Sequence, residues 1–113
     1  MSAGSFQIVI IVITNMDGEG RTMEFINLGE VNNFAARHPG SRRPLANWRL
    51  STELAVWKDF AAVRLTFRSA DYVEGLVVFD VGGNNYRLIA SIDYAIQRVY
   101  VLEVLTHSQY DRW

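Results

Sequence analysis

The spacing of apolar residues changes along this chain, and each change predicts a different kind of element. Between residues 28 and 67 the apolar positions recur every three or four residues, which predicts helices. The first helix should end near His38, because the following proline disfavours the α conformation there. Ser41 can cap a second helix, and a third short helix or turn follows. The apolar positions of the three segments are Leu28, Val31, Phe34 and Ala35; Leu45, Trp48, Leu50 and Leu54; and Trp57, Phe60, Val63 and Phe67.

Apolar and β-branched runs elsewhere in the chain are typical of strands. They cover residues 23–27, 76–81, 86–92 and 99–105, and the last three are separated by residues 82–85 and 93–98, which contain turn formers. Short connections of this kind favour sequential antiparallel hairpins. The pattern predicts an α+β domain in which an N-terminal strand and two to three helices pack on one face of a small antiparallel sheet. Trp48 and Trp57 occupy apolar helical positions and are predicted to lie in the core.

The N-terminal 22 residues form a segment of their own. Residues 6–13 are apolar and β-branched, yet they are too few to span a bilayer as a helix and no Lys or Arg precedes them. We therefore predict neither a membrane anchor nor an export signal. Either this run is an extra strand that pairs in a hairpin with Phe25 and its neighbours, or translation begins at Met23. The predicted division is an extension, 1–22, and a domain, 23–113.

Composition narrows the chemistry that is available. The chain has 113 residues, half of them hydrophobic, so one small domain with its own core is expected. It has no cysteine, which excludes disulfides, thiolate metal sites and thiol nucleophiles and is compatible with a reducing cytosol. No histidine pair at ligand spacing, carboxylate pair or Walker loop is present, so we predict no metal and no cofactor.

Two polar segments near the C-terminus carry the candidate chemistry: Gly83-Asn84-Asn85-Tyr86-Arg87-Leu88 and Thr106-His107-Ser108-Gln109-Tyr110-Asp111. Cleavage of RNA without a metal needs the charge on the phosphate to be offset and protons to be moved. Arg87 could anchor a phosphate through its fixed fork of donors, or it could pair with a carboxylate. His107 could transfer a proton, or it could be a partly buried histidine at a strand end.

The remaining polar candidates also have two interpretations each. Tyr110 could stack on a base or contact a phosphate, or it could anchor the C-terminal tail to the sheet. Asp111 could orient His107, or it could simply be solvated. Basic residues of the helical half could form a footprint on RNA or a solvated helix face; they are Lys58, Arg64 and Arg68, with Arg37, Arg42, Arg43 and Arg49.

Taken together, the ordered segments of residues 23 to about 112 resemble the HigB toxins of type II toxin-antitoxin modules, which share the RelE/ParE fold. The segments are His38-Pro39, Trp48, Trp57-Lys58, Phe67 with Ser69-Ala70-Asp71, Val78-Phe79-Asp80-Val81, residues 83–88, Ile92 with Tyr94, and Thr106-His107 with Tyr110-Asp111. The resemblance implies a cytoplasmic, ribosome-dependent endoribonuclease that cuts mRNA and inhibits translation. It also implies a helix-turn-helix antitoxin as partner, with DNA contacted only through that antitoxin. We expect Arg87, His107 and Tyr110 to be catalytic and a second set to bind RNA: Lys58, Arg64, Arg68, Asn84, Tyr86 and Asp111.

The chain departs from this family in its charge. Typical relatives carry basic residues where this chain has Leu76 and Asn85. Residues 1–22 contain one basic and two acidic residues, so the predicted domain holds ten of each and is formally neutral. Fewer basic residues mean fewer phosphate contacts and weaker RNA binding. The alternative hypothesis is therefore a catalytically weak relative that acts as an antitoxin-binding module in regulation of its own operon.

Overall fold

A computed structural model describes residues 23–113, so both explanations of residues 1–22 fall outside the described residues. The elements follow one another in this order: β1 (Glu24–Ile26), α1 (Leu28–Arg37), a 3₁₀ turn (Pro39–Ser41), α2 (Arg42–Glu53), α3 (Phe60–Thr66), β2 (Asp71–Val73), β3 (Leu76–Val81), β4 (Tyr86–Asp93), β5 (Arg98–Thr106) and α4 (His107–Asp111). The predicted α+β class is confirmed. The short strand β2 and the helix α4 were not predicted.

The five strands form one sheet in the order β1-β5-β4-β3-β2. Strands β3, β4 and β5 are joined by sequential antiparallel hairpins, as the turn pattern predicted. The additional strand β2 pairs with β3, also antiparallel. The N-terminal strand is different, because β1 pairs with β5 in parallel. The sheet is therefore mixed, and the prediction of a purely antiparallel sheet was wrong. A parallel pair needs a long crossover, which the three helices and strands β2 to β4 supply here.

Alternation along the strands divides the sheet into two faces. Leu88 on β4 and Phe79 on β3 are fully buried on the face that α1, α2 and α3 cover. Trp48 and Trp57 pack against Phe79 there, with ring centroids 5.5 and 6.3 Å from it, which confirms both as core residues. Leu50 and Leu54 are mostly exposed, so these two do not belong to the predicted core stripe of α2.

The three long helices begin in different ways. Ser41 stands at the N-cap position of α2, but its hydroxyl makes no cap hydrogen bond and instead donates to the carbonyl of His38 at 2.7 Å. Asp59 caps α3 by accepting from the backbone N–H of Ala62 at 2.9 Å. Of the two predicted forms of this segment, a short helix or a turn, the structure has the helix. The Nδ2 group of Asn27, just before α1, donates to the carbonyl of Val101 at 3.0 Å. The start of α1 is thereby fixed to β5.

Two tight turns lie at the opposite ends of β3. Glu74 and Gly75 link β2 to β3, and both have positive φ angles, 51° and 86°, as a two-residue hairpin turn of type I′ requires. Gly82 follows β3 with φ of 65°. A Cβ atom at Gly82 would lie 3.2 Å from the Tyr86 ring and 3.3 Å from Pro44, so glycine is needed there for space as well as for conformation.

Candidate functional site

Arg87 lies at the centre of a polar cluster on the face of the sheet opposite α1, α2 and α3. It is the second residue of β4, so alternation directs it away from the core residue Leu88. Its partner across the β3–β4 ladder is Asp80, whose carboxylate Oδ1 accepts from the guanidinium Nε at 3.1 Å. Arg87 retains only 8% of its accessible surface. The charge of the guanidinium is therefore compensated inside the fold.

The turn before β4 binds the other end of the same guanidinium. Nη1 donates to the backbone carbonyls of Asn84 and Tyr86, at 3.3 and 3.0 Å. Nη2 donates to the side-chain Oδ1 of Asn84 at 2.6 Å. Nη2 also lies 3.2 Å from Nδ1 of His107. A guanidinium has five N–H donors, so these contacts with Asp80 included leave it no unused donor.

His107 is held by α4 and by both of its ring nitrogens. Its backbone N–H donates to the carbonyl of Asn85 at 2.9 Å. Since a guanidinium has no acceptor, Nδ1 must accept from Arg87, and the neutral ring then carries its hydrogen on Nε2. Nε2 lies 3.3 Å from Oδ2 of Asp111, one helical turn later. The prediction that Asp111 could orient His107 thus has the geometry that it requires.

Helix α4 has only five residues, and a capping box fixes its first turn. The Thr106 hydroxyl accepts from the backbone of Gln109 at 3.2 Å, and the Gln109 side chain accepts from the backbone of Thr106 at 2.9 Å. Both interactions satisfy backbone donors that a helix start leaves open. The cap therefore determines where His107 points, although α4 itself contains no buried residue.

Tyr110 covers the cluster. The Cζ atom of Arg87 lies 5.6 Å from the centroid of the Tyr110 ring, a cation–π distance. The Tyr110 ring also stacks with Trp113, with centroids 5.9 Å apart and an angle of 19° between the planes. Tyr110 thus joins the cluster to Trp113 in the C-terminal tail, and its contact with an RNA base or phosphate stays a prediction.

The structure brings five of the predicted site residues together: Arg87, His107, Tyr110, Asn84 and Asp111. It does not bring the side chain of Tyr86 to them, although the backbone carbonyl of Tyr86 accepts from Arg87. Tyr86 points to the helix-covered face, where its ring meets Phe34 edge-on at 5.7 Å.

Three predicted RNA-binding residues also lie away from the cluster. Lys58, Arg64 and Arg68 are exposed in and around α3, which packs on the helix-covered face. Arg64 donates to the carbonyl of Arg68 at 2.9 Å. Within residues 23–113 no hydrogen bond or ion pair joins these three side chains to the Arg87 cluster. A common RNA footprint would have to pass around an edge of the sheet.

Asp80 is the cluster residue to which the sequence analysis gave no role. The signal for it was present, because Asp80 stands between Phe79 and Val81, two apolar residues of a predicted strand. Alternation then places it on the face that Arg87 occupies. The sequence alone did not show the register of the β3–β4 pair, which sets Asp80 directly opposite Arg87.

Two groups away from the cluster have shifted pKa values. Burial raises the pKa of Tyr94, and the nearby Tyr72 and Asp59 add to the effect. Hydrogen bonds from the guanidinium to Tyr100 and Glu24 raise the pKa of Arg98 at the β1 edge of the sheet.

The charged groups of the Arg87 cluster are one guanidinium and two carboxylates, Asp80 and Asp111. The net charge of the cluster is therefore negative while His107 is neutral.

Two features are absent from the part of the chain that the structure describes. No three His, Cys, Asp or Glu side chains come close enough there to hold a metal ion. None of the helices there is long and apolar enough to cross a membrane.

Comparison with known proteins gives consistent matches. Residues 41–113 match the family model HigB_toxin, described as the RelE-like toxic component of a toxin-antitoxin system. The mRNA interferase toxin HigB of Escherichia coli strain K12 is 28% identical over 92 residues, which cover 79% of this chain and 88% of that protein. The mRNA interferase HigB of Shigella flexneri matches to the same extent. The mRNA interferase HigB of Escherichia coli O6:H1 is 46% identical over 35 residues, 31% of this chain and 34% of that protein.

Proposed function

Because the chain belongs to the HigB family of RelE-like toxic components of toxin-antitoxin systems, we propose that it is an endoribonuclease that cleaves mRNA. The observation that carries the proposal is the Arg87 cluster, in which a buried guanidinium contacts Nδ1 of a histidine. An arginine and an imidazole supply charge stabilisation and proton transfer, so the proposed reaction requires no metal.

In the proposed mechanism the RNA phosphate competes for the Nη2 donors of Arg87. These donors contact Asn84 and His107 in the free protein, at 2.6 and 3.2 Å. When the phosphate takes the donor that faces His107, the lone pair of Nδ1 becomes available and accepts the proton of the 2′-hydroxyl. The 2′-oxygen then attacks phosphorus, the bond to the 5′-oxygen breaks, and the imidazolium returns its proton to that oxygen.

Neighbouring side chains support this sequence of steps. The Asp111 carboxylate, 3.3 Å from Nε2, stabilises the imidazolium after Nδ1 is protonated. Asp80 and the carbonyl of Asn84 keep the plane of the guanidinium fixed while one donor changes partner. Tyr110 covers Arg87 and contacts the phosphate or an adjacent base. Asn84, Lys58, Arg64, Arg68 and Tyr86 remain proposed RNA contacts, the last four outside the cluster.

The setting of the reaction is also part of the proposal, and membership of the family supports it. We propose that the toxin acts in the cytoplasm on mRNA that is being translated on the ribosome, and that a helix-turn-helix antitoxin neutralises it. The domain with ten basic and ten acidic residues has little general attraction for RNA. A ribosome that presents the mRNA would compensate for this, since it removes the need for a large basic footprint.

One variant tests the proposed chemistry directly. His107→Asn keeps an oxygen that can accept from Arg87 but cannot transfer a proton at neutral pH. We expect cleavage of mRNA in a translating extract to slow by about 10²- to 10⁴-fold, the usual contribution of a general acid–base group. The matched control is His38→Asn, which alters the other histidine, at the end of α1 on the helix-covered face. Cleavage at the wild-type rate by a folded His107→Asn protein would refute the mechanism.

A second candidate function is supported by the engaged donors of Arg87. If the phosphate cannot displace Asn84 or His107, the protein would be a catalytically weak relative that binds the antitoxin and tunes repression of its operon. Harmless overproduction together with tight antitoxin binding would select this function. Growth arrest with cut mRNA would select the first, and omission of ribosomes from the extract tests the ribosome dependence.

A further inference from the structure

A column of flat groups leads from the Arg87 cluster to the surface. The Arg87 guanidinium lies against the Tyr110 ring, and the Tyr110 ring stacks with the indole of Trp113. Half of the surface of Trp113 is exposed, at 51%. Its Nε1 donates to Oε2 of Glu103 on β5 at 3.2 Å, which holds the indole against the sheet. The column therefore ends in a fixed and accessible aromatic side chain.

Beside this column lies an open cleft of about 710 Å³ between α4 with the C-terminal tail and the β2–β3 hairpin. One wall is formed by Val73, Glu74 and Leu76, and the other by Tyr110, Asp111 and Trp113. Two of these residues also belong to the Arg87 cluster: the Tyr110 ring contacts the guanidinium, and the Asp111 carboxylate lies beside Nε2 of His107. A ligand in the cleft would therefore be adjacent to a phosphate bound at Arg87.

The lining of the cleft defines the chemistry of its ligand. Two aromatic rings and two aliphatic side chains suit a planar apolar group. The charged side chains of the lining are carboxylates, Glu74 and Asp111, so an edge of the bound group that faces them must donate hydrogen bonds. Among residues 23–113 no basic side chain lines the cleft, and this lining does not suit a second phosphate.

We propose that this cleft binds a nucleobase next to the scissile phosphate and favours guanine. A base stacks on Trp113 as single-stranded RNA bases stack on exposed aromatic residues. Guanine presents N1–H and the 2-amino group side by side, so one carboxylate can accept both hydrogen bonds. Uracil presents carbonyl oxygens on either side of its single N–H, which a carboxylate repels. This inference rests on the proposed function only in taking RNA as the substrate.

The test uses the full chain and RNA hexamers that are 2′-O-methylated throughout, so that binding is measured without cleavage. The hexamers differ only in one central base, G, A, C or U. We expect the G hexamer to bind about ten-fold more tightly than the U hexamer by fluorescence anisotropy. It should also quench the emission of Trp113, since Trp48 and Trp57 are buried and inaccessible to the base.

Three variants separate stacking from base selection. Trp113→Leu should weaken binding of the G hexamer about ten-fold, in the range of one lost base–aromatic stack. Trp113→Phe should keep most of the affinity. Glu74→Gln should reduce the preference for G from both sides, because it weakens binding of the G hexamer and relieves the repulsion of the U hexamer. The matched control is Tyr72→Leu, which removes an exposed aromatic residue that packs on Phe60 and does not line the cleft.

The outcomes distinguish this inference from the proposed function. Equal affinity for all four hexamers, no binding at all, or wild-type affinity in Trp113→Leu would overturn the nucleobase cleft. Cleavage of mRNA by these same proteins would leave the proposed function in place. A wild-type protein that binds the G hexamer selectively but cuts no RNA would refute the proposed function and retain the cleft.

Discussion

Replacing Asp80 by Asn and by Ala should separate the charge of this residue from its role in positioning. Asp80 accepts from Nε of Arg87 at 3.1 Å, and its side chain is 31% exposed, against 10% for that of Arg87. Asn retains an oxygen at the same place and removes the charge. Ala removes both the charge and the acceptor, so that the Nε–H of a buried guanidinium has no partner.

The expected loss of stability lies between two limits. Breaking a fully buried ion pair destabilises a protein by about 3 to 5 kcal/mol, and breaking an exposed pair by about 0 to 1 kcal/mol. With one partner buried and the other one-third exposed, Asp80→Ala should lower the free energy of unfolding by about 2 kcal/mol and Asp80→Asn by about 1 kcal/mol. For a domain of this size, about 2 kcal/mol corresponds to a fall in Tm of roughly 8 to 16 °C.

Activity should respond differently to the two substitutions. Removing the carboxylate of Asp80 removes a repulsion on the incoming phosphate, worth about 0.6 kcal/mol at a distance of roughly 7 Å in water. Asp80→Asn should therefore lower KM about threefold, with kcat close to that of the wild type. In Asp80→Ala the guanidinium loses the group that holds its plane, so kcat should fall about tenfold or more.

Steady-state cleavage of a fluorescent mRNA fragment on programmed ribosomes, together with thermal unfolding, measures both effects. A folded Asp80→Asn protein with strongly reduced kcat would refute the reasoning, because the charge itself would then be needed. An unchanged Tm and kcat in Asp80→Ala would equally contradict it, since the ion pair would then hold nothing in place.

Three further predictions concern other parts of the fold. Thr106→Ala removes the capping box of α4 and should lower the free energy of unfolding by about 1 kcal/mol. Because His107 begins that helix, the activation free energy of cleavage should rise by more than this amount. Thermal unfolding and cleavage assays measure the two changes. The folded protein holds the Tyr94 proton more tightly than the unfolded chain does, since burial raises its pKa. The contribution of Tyr94 to the free energy of unfolding should therefore be constant below about pH 10 and decline above it; Tyr94→Phe should remove that part of the alkaline decline in urea titrations. The Gln97 side chain bridges Trp57 and Tyr94: it accepts from the backbone N–H of Trp57 at 2.9 Å and donates to the carbonyls of Trp57 and Tyr94, at 2.5 and 2.7 Å. Gln97→Ala should lower the free energy of unfolding by about 2 kcal/mol. A value within about 0.5 kcal/mol of the wild type would contradict this role.

Much of the fold was predictable because it depends on local patterns. The helical spacing from Leu28 to Ala35, and the strands on either side of the 82–85 turn, appear in the structure close to where they were predicted. The two tryptophans of the helical half were assigned to the core on the same basis. Predictions that needed partners from distant parts of the chain did less well. The parallel pairing of β1 with β5 joins residues more than 70 positions apart, and no local pattern specifies that direction.

For the candidate site, the sequence by itself determined the kinds of group available and the segments that carry them. Arg87, His107, Tyr110 and Asp111 were recognisable from residue type, whereas Asp80 was given no role, although it is a polar residue within an apolar strand. Only the tertiary structure decided which of them meet. Strand register sets Asp80 opposite Arg87, and a capped turn of helix brings His107 to the same guanidinium. The physical reason is that a side chain's partners follow from pairing across strands, which depends on the whole sheet, whereas its chemistry is fixed by its own atoms.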